Sequence, residues 1–372
     1  MLTARNIEHG IVAARPDQMY GWPGITRTVD GDIVVSASER LYHTGPQSRT
    51  VVMRSSDGGR NWSLPQEVYN SETDDRDASL RTMPDGTIVL TSFSTTDWVS
   101  SVISGEFCAG RAIPERWLSQ WRGIVERMGL TKEELKRPWL LRSEDGGRTW
   151  GPPVDTPVGQ HAGPGALADG RLIYIGTGLL ELAEPIQAWE STDKGDTWEV
   201  VGEIPRPPDL PEKILLIENH LVEASPGRLI ALFRSEGCDW DDQYMYQSNS
   251  DDAGRTWSVA AKLPVWGYPP HLLKLSSGAI LCSYSYRHDP PSIRAMLSYD
   301  EGETWDYENM MILYDLPYVH DFGYPVTTEL APGEMVTVWY VNKKYIREDG
   351  KFLHLPYAED AGGIMSIRWT LE

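Results

Sequence analysis

The residues best suited to chemistry recur at one place, just before a short apolar stretch that leads into a Gly turn and a hydrophobic strand. These positions are polar or aromatic and vary from one unit to the next: Tyr20 and Trp22; Asp75, Arg76 and Asp77; His161; Glu218, Asn219 and His220; His271; and Asp321 with Tyr324. Repeated positions that served packing alone would resemble one another. Their variety predicts a pocket lined from several sides by residues with separate roles.

Tyr324 and Glu218 could form an activated nucleophile. A phenol with a pKa near 10 stays protonated at neutral pH and needs a base to draw off its proton. Asp77, or its neighbour Asp75, could act as a general acid or base. The alternatives are a buried tyrosine hydroxyl satisfied by a core glutamate, and an aspartate that caps a turn before a strand.

Arg234 and Arg287 follow hydrophobic strands and could hold a substrate carboxylate through paired N–H groups. Arg76, beside Asp77, is a further candidate for substrate binding. The alternative for an arginine at a strand end is an ion pair on the rim.

His161 and His271 could donate protons or hydrogen bonds to a bound ligand, and Trp22 could stack on a flat face of that ligand. The alternatives are structural histidines beside Pro and Gly, and a tryptophan that packs in the wall of the pocket.

An eight-residue motif, S-x-D-x-G-x-[TN]-W, occurs five times, and repetition of this kind indicates a repeat architecture. Asp accepts hydrogen bonds in tight turns and Gly allows positive φ. The final Trp can bury a large ring against a neighbouring unit. We expect each copy to form a structural hairpin turn on the outer side of its unit. The copies are Ser55–Trp62, Ser143–Trp150, Ser191–Trp198, Ser250–Trp257 and Ser298–Trp305.

Together the motif and the Gly-turn stretches define six units, each with room for four short strands. This pattern predicts an all-β fold, a six-bladed β-propeller formed by one domain over residues 1–372. The sixth unit lacks the motif, so we expect the segment around Ile7 to Ala13 to supply its outer strand and close the ring.

The interval between the first two motifs is longer than one blade requires. The extra residues predict a small helical insertion in the second blade, at about residues 108–138. Pro114 suits the start of a helix, hydrophobic residues follow at helical spacing, and Gly129 suits its end. Thr131 with Glu134 resembles a capping box for a second short helix. The insertion either packs on the edge of the ring or forms a lid or subunit contact.

The amino-acid composition limits the partners and the cellular location that we expect. The formal net charge is −20, and without a basic run nucleic acid is not an expected partner. The apolar runs are too short for a membrane span, and the opening residues lack a signal-peptide core, so we expect a cytoplasmic protein unless a leader was removed. Cys108, Cys238 and Cys282 form no C-x-x-C pair and are expected to be free thiols. No metal or cofactor is expected, and a homo-oligomer is left open.

The five-fold motif resembles the Asp box, or bacterial neuraminidase repeat, and the chain resembles the six-bladed sialidase superfamily. Leu216–Glu223 followed by Arg234 is similar to the segment that supplies the catalytic Glu and a substrate arginine. Asp321–Pro325 is similar to the segment that carries the tyrosine nucleophile. The resemblance therefore implies a Tyr324 nucleophile paired with Glu218, and Arg287 as a further carboxylate-binding arginine.

Two family features are missing. Sialidases begin with Phe/Tyr-Arg-Ile-Pro, where this chain reads Tyr20-Gly21-Trp22-Pro23, and the loop that carries the acid/base Asp reads Thr44–Arg49 without a carboxylate. We expect an exo-acting glycoside hydrolase that removes a terminal sugar, which can be acidic, from a glycan. The alternatives are a polysaccharide lyase and a non-catalytic carbohydrate-binding propeller.

Overall fold

The computed structural model of the protein describes residues 3–15, 18–107, 111–131, 135–177, 185–316, 321–342 and 362–372. Within these ranges the strands form six antiparallel four-stranded sheets and one two-stranded ribbon. The first half of the chain contains β1 (Ala4–Ala14), β2 (Met19–Arg27), β3 (Ile33–Arg40), β4 (Ser48–Ser55), β5 (Gln66–Tyr69), β6 (Asp74–Thr82), β7 (Ile88–Thr95), α1 (Trp98–Ser104), β8 (Glu106–Phe107), β9 (Arg111–Ala112), α2 (Glu115–Met128), β10 (Lys136–Ser143), β11 (Val154–Asp155), β12 (Gly165–Ala166), β13 (Leu172–Gly176) and β14 (Ile186–Ser191). The second half contains β15 (Glu199–Ile204), β16 (Leu215–Ser225), β17 (Arg228–Glu236), a short 3₁₀ helix (Trp240–Asp242), β18 (Tyr244–Ser250), β19 (Ala261–Trp266), β20 (His271–Lys274), β21 (Ile280–Tyr286), β22 (Ser292–Ser298), β23 (Met311–Asp315), β24 (Phe322–Ala331), β25 (Glu334–Asn342) and β26 (Gly362–Leu371).

The sheets are the six blades of a β-propeller, as the repeats predicted. Blade one is β2-β3-β4-β5, and the β16, β20 and β12 sheets follow the same meander order. In blade six, the N-terminal strand β1 pairs with the C-terminal strand β26. The expected closure is therefore confirmed. The first strand of the chain completes the last blade and covers the outer edge of β26.

The five motif copies are the turns between the third and fourth strands of blades one to five. In the first copy the Asp57 carboxylate accepts the N–H groups of Arg60 (3.1 Å) and Asn61 (2.9 Å), while Ser55 Oγ accepts the N–H of Gly59 (2.8 Å). Gly59 has a φ of 83°, and a Cβ there would lie 3.2 Å from Val336 of blade six. The motif thus fastens each turn against the preceding blade.

The closing tryptophans are less uniformly buried than the sequence suggested. Trp257 and Trp305 are buried, at 8% and 5% exposure, but Trp62, Trp150 and Trp198 are only partly buried. The turns lie at the outer edge of the ring, where the covering side chains differ from one blade to the next.

The helical insertion lies between β7 and β10, both in blade two, as predicted, but it begins earlier than expected, because α1 starts at Trp98. Helix α2 follows Pro114 and ends at Gly129, which has the left-handed φ of 64°. Trp121 packs on the blade-one loop that contains Tyr42 and Gly45. The proposed capping box involves residue 134, which lies outside the described residues.

Candidate functional site

Four of the six innermost strands break their pairing register at the same place. The breaks follow Gly21, Arg76, Ile217 and Gly323. At each break a non-glycine residue adopts positive φ, a conformation that costs about 1–2 kcal/mol for an L-residue. These residues are Trp22 (49°), Asp77 (57°), Glu218 (45°) and Tyr324 (55°). A bulge re-aims a side chain, and repeating it in four blades brings these four side chains together at the axis.

Tyr324, Glu218 and Arg234 form a continuous chain of hydrogen bonds. The Tyr324 hydroxyl donates to Glu218 Oε1 over 2.5 Å, and Arg234 Nη1 donates to Glu218 Oε2 over 2.8 Å. Tyr324 comes from blade six, while Glu218 and Arg234 lie on paired strands of blade four. The structure therefore brings the expected nucleophile and base into direct contact across the ring.

The protonation states of Glu218 and Tyr324 follow from their surroundings. Burial disfavours the Glu218 carboxylate, but Arg234 and the Tyr324 hydroxyl outweigh it, so the pKa of Glu218 lies below its usual value. Burial, together with the negative Glu218, raises the pKa of Tyr324 well above its usual value. At neutral pH the resting pair is a neutral phenol bound to a carboxylate.

Asp77 and Asp75 have different environments. Asp75 is fully buried and accepts hydrogen bonds from Ser71 N–H (2.7 Å), Ser71 Oγ (2.7 Å) and Ser94 Oγ (2.6 Å), which marks it as a structural residue. Asp77 keeps one buried oxygen without a hydrogen-bond partner among the described residues. Burial, with a further contribution from Glu218, raises the pKa of Asp77 to about 6, against the opposing charge of Arg76.

Arg234 and Arg287 flank one aromatic ring. Their guanidinium carbons lie 4.0 Å and 5.3 Å from the centre of the Tyr268 ring. Arg287 Nη2 also donates to the Phe322 carbonyl over 2.5 Å and to the Tyr340 hydroxyl over 3.3 Å. In each arginine the buried Nε has no hydrogen-bond partner among the described residues. Buried donors are normally satisfied, so each of these two arginines keeps one unused N–H donor.

Arg76 and Trp22 stand on the opposite side of the site. The Arg76 guanidinium lies 4.7 Å from the centre of the Trp22 ring and donates to Asp97 over 3.2 Å. Arg40 covers the same ring at 4.6 Å. Trp22 is only 2% exposed, so it supports the two guanidinium groups and does not offer a free face for sugar stacking.

The two predicted histidines, His161 and His271, have different neighbours. The His161 ring meets the Tyr324 ring edge-on, with centroids 4.5 Å apart, and burial lowers the pKa of His161 to about 4. His271 instead contacts His220, at 4.3 Å between ring centroids, and accepts the N–H of Thr327. Among the described contacts, none joins His271 to Tyr324 or Glu218.

Sequence reasoning missed three residues of the site. Tyr340 pairs with Gly323 as Arg234 pairs with Ile217, so an alignment of the second strands of the blades would have found it. Tyr268 lies directly before two prolines and His271. His43, whose ring lies 5.2 Å from that of Trp22, is in an irregular loop with no spacing signal.

The chain belongs to the family of proteins with a BNR repeat-like domain, whose model matches residues 116–337, more than half of the sequence. Together with the six blades and the Asp-box turns, this match makes it a sialidase-superfamily propeller. No curated protein matches the chain at a significant level.

Several solved structures share this fold. A protein of unknown function from Dyadobacter fermentans DSM 18053 has a TM-score of 0.74 and 21% identity over 100% of both chains. The NanB sialidase from Streptococcus pneumoniae has a TM-score of 0.64 and 14% identity, over 97% of this chain and 70% of its own. The intramolecular trans-sialidase from Ruminococcus gnavus has a TM-score of 0.62 and 14% identity, over 97% and 96%. At these identities the likeness establishes the fold alone.

Within the described part of the chain, no helix is long and apolar enough to cross a membrane. The same residues contain no group of three or more His, Cys, Asp or Glu side chains arranged to hold a metal ion.

Proposed function

We propose that the protein is a retaining, exo-acting glycoside hydrolase that removes a terminal acidic sugar from a glycan. The observation that carries this proposal is the 2.5 Å hydrogen bond from Tyr324 to a glutamate that is itself paired with an arginine. A phenol becomes a useful nucleophile when an adjacent base can take its proton as it attacks.

In the first half-reaction Tyr324 Oη attacks the anomeric carbon, and the bond from that carbon to the leaving oxygen breaks. The phenolic proton passes to Glu218 Oε1, while protonated Asp77 donates its proton to the leaving oxygen. The pKa values of Tyr324 and Glu218 oppose this transfer in the resting state. The positive charge that develops on the sugar ring makes the transfer favourable only in the transition state, which is where catalysis requires it.

In the second half-reaction water attacks the anomeric carbon of the glycosyl–tyrosine. Asp77, now a carboxylate, takes a proton from the water, and the departing Tyr324 oxygen recovers its proton from Glu218. Two inversions at one carbon leave the anomeric configuration unchanged.

The acidic nature of the sugar is supported by the arginines around the pocket. Arg76, Arg234 and Arg287 each have a buried Nε–H without a partner among the described residues. The guanidinium groups of these arginines can donate to a carboxylate on the sugar, and such charge-assisted bonds are about twice as strong as neutral ones.

The proposal is tested by incubating the protein with a panel of aryl glycosides and acidic oligosaccharides and reading the products by mass. We expect release of a terminal acidic sugar with its anomeric configuration retained, as followed by NMR. A fluorinated substrate analogue should leave its sugar on the peptide that contains Tyr324. An unsaturated product that absorbs in the ultraviolet would instead identify a lyase, and binding without turnover would identify a carbohydrate-binding propeller.

A further inference from the structure

A narrow cavity lies on the propeller axis next to the candidate site and shares His161 with it. Ser79, Arg81, His220 and His271 also contribute to its lining. The room at its centre is about that of one water molecule. None of the steps proposed for glycoside hydrolysis uses Arg81, His220 or His271.

Arg81 brings a positive charge into this cavity without a counter-charge. Its guanidinium donates to the carbonyl groups of Leu80 (3.0 Å) and Ala162 (3.4 Å) and contacts His220 Nε2. Among the described residues no carboxylate forms an ion pair with it. Burial lowers the pKa of Arg81 to about 10, so the group remains charged at neutral pH. Arg81 is partly buried, and a charge that is withdrawn from water is normally paired.

The neighbouring histidines add donors and no acceptors. His220 Nδ1 accepts the N–H of Leu272 over 3.1 Å, so a neutral His220 ring carries its proton on Nε2. That N–H then faces the Arg81 guanidinium, and two donors cannot satisfy each other. His271 is held in the same way, because its Nδ1 accepts the N–H of Thr327 over 3.4 Å.

His161 gives independent support for a binding site in this cavity. It lines the cavity, it is only 4% exposed, and its Nδ1 has no hydrogen-bond partner among the described residues. A buried polar atom in this condition calls for a ligand or an ordered solvent molecule.

We propose that this axial cavity binds a small monovalent anion of the size of chloride, which lies beside Arg81 and His220 and accepts from the guanidinium and from the Nε2–H. The single uncompensated charge of Arg81 sets the charge of the ligand. The room at the centre excludes a carboxylate-bearing sugar or a phosphate. The anion would accept from both donors that now face each other.

Thermal unfolding provides the first test. The protein is titrated with sodium chloride at constant ionic strength, with sodium methanesulfonate as the replacement salt because its anion is too large for the cavity. We expect a saturable rise in Tm with chloride, since a ligand that binds only the folded state stabilises it by mass action. In R81Q the apparent affinity should fall by about tenfold or more, because the charged donor is lost. In the control R148Q, which alters a 58% exposed arginine of an Asp-box turn, the response should persist.

An equal chloride response in R81Q, or none in the unaltered protein, would overturn the proposal. Crystals of the unaltered protein soaked in bromide give a second measurement that does not depend on the folding of R81Q. An anomalous peak within hydrogen-bond distance of Arg81 and His220 supports the site. A cavity that holds only water under bromide contradicts it.

Discussion

Four strained residues define the site at the level of single side chains. Positive φ at Trp22, Asp77, Glu218 and Tyr324 costs each residue about 1–2 kcal/mol, and such strain persists where the surroundings over-determine it. Here the opposing interactions are visible, because Tyr324 is bound to Glu218, and Trp22 lies beneath two guanidinium groups. These interactions offset the strain and fix the side chains before a substrate arrives.

Tyr324→Phe should abolish the chemistry without disturbing the fold. The substitution removes only the hydroxyl, and we expect kcat to fall by roughly 10³-fold or more, as for the loss of a nucleophile. Circular dichroism and Tm establish that the variant is folded, and Tyr299→Phe, at an exposed tyrosine, serves as the matched control. Near-normal turnover by Tyr324→Phe would show that the nucleophile is another residue, with an Asp or His of blades two, three or five as the next candidate.

Asp77→Asn should change the pH dependence of the reaction. In the proposed mechanism Asp77 is the general acid and must be protonated in the first half-reaction, and its pKa is raised to about 6. We therefore expect kcat/KM to be highest below about pH 6 and to fall about tenfold per pH unit well above it. Asp77→Asn should lose this alkaline limb.

The matched comparison uses two leaving groups of different acidity, the nitrophenol of an aryl glycoside and the sugar hydroxyl of a natural oligosaccharide. A good leaving group needs little protonation, so Asp77→Asn should lose much less activity on a nitrophenyl glycoside than on a natural oligosaccharide. If the alkaline limb survives in Asp77→Asn, the acid is a different residue.

At the level of elements, the Asp-box turns stabilise the blades and take no part in the site. Trp305 is 5% exposed, and its indole N–H donates to Gln247 over 2.7 Å. Trp198 is only partly buried and bonds to the Gly195 carbonyl of its own turn. The same motif therefore contributes unequally to different blades.

Replacing Trp305 by Ala should cost about 3–5 kcal/mol in the free energy of unfolding, as expected for the truncation of a buried aromatic side chain. Trp198→Ala should cost about 1–3 kcal/mol, because less of its surface is buried. Urea denaturation measures both, and kcat per folded molecule should remain that of the unaltered protein. A loss of kcat in the folded Trp305→Ala variant would contradict the separation of scaffold from site.

The elements that could be predicted from the sequence are those with a local and repeated signal. The Asp-box turns, the Gly-turn hairpins and α2 depend on neighbours within a few residues, and the structure contains them all. The outer strand β1 could be predicted because one blade lacked its motif. Helix α1 has no such signal and was missed.

The register breaks in the innermost strands could not be predicted. Positive φ usually indicates glycine, whereas these breaks place Trp, Asp, Glu and Tyr there. Contacts between blades, such as Tyr268 between Arg234 and Arg287, depend on how blades four and five meet. No local pattern contains that information.

At the level of the whole molecule, a net charge of −20 repels an acidic sugar at long range. In the proposed reaction, binding would therefore depend on arginines concentrated at the axis, where burial strengthens their attraction. The number and placement of these arginines, more than the fold, should then decide which acidic sugar is accepted.

Gly21 stands where the sialidase motif has its arginine, so we expect weak or absent cleavage of ordinary sialosides by the unaltered protein. A Cβ at Gly21 would meet only Met19 Cε, at 3.7 Å, which is ordinary van der Waals contact, so the backbone at this position accepts a Cβ. Gly21→Arg should raise kcat/KM for a sialyl aryl glycoside by about tenfold or more, because a charge-assisted hydrogen bond contributes about 1.5–3 kcal/mol. Gly21→Gln, of similar bulk but uncharged, is the matched control and should show no gain. Robust cleavage of a simple sialoside by the unaltered protein would mean that Arg76 already supplies the missing charge, and Arg76→Gln would then be expected to remove that activity.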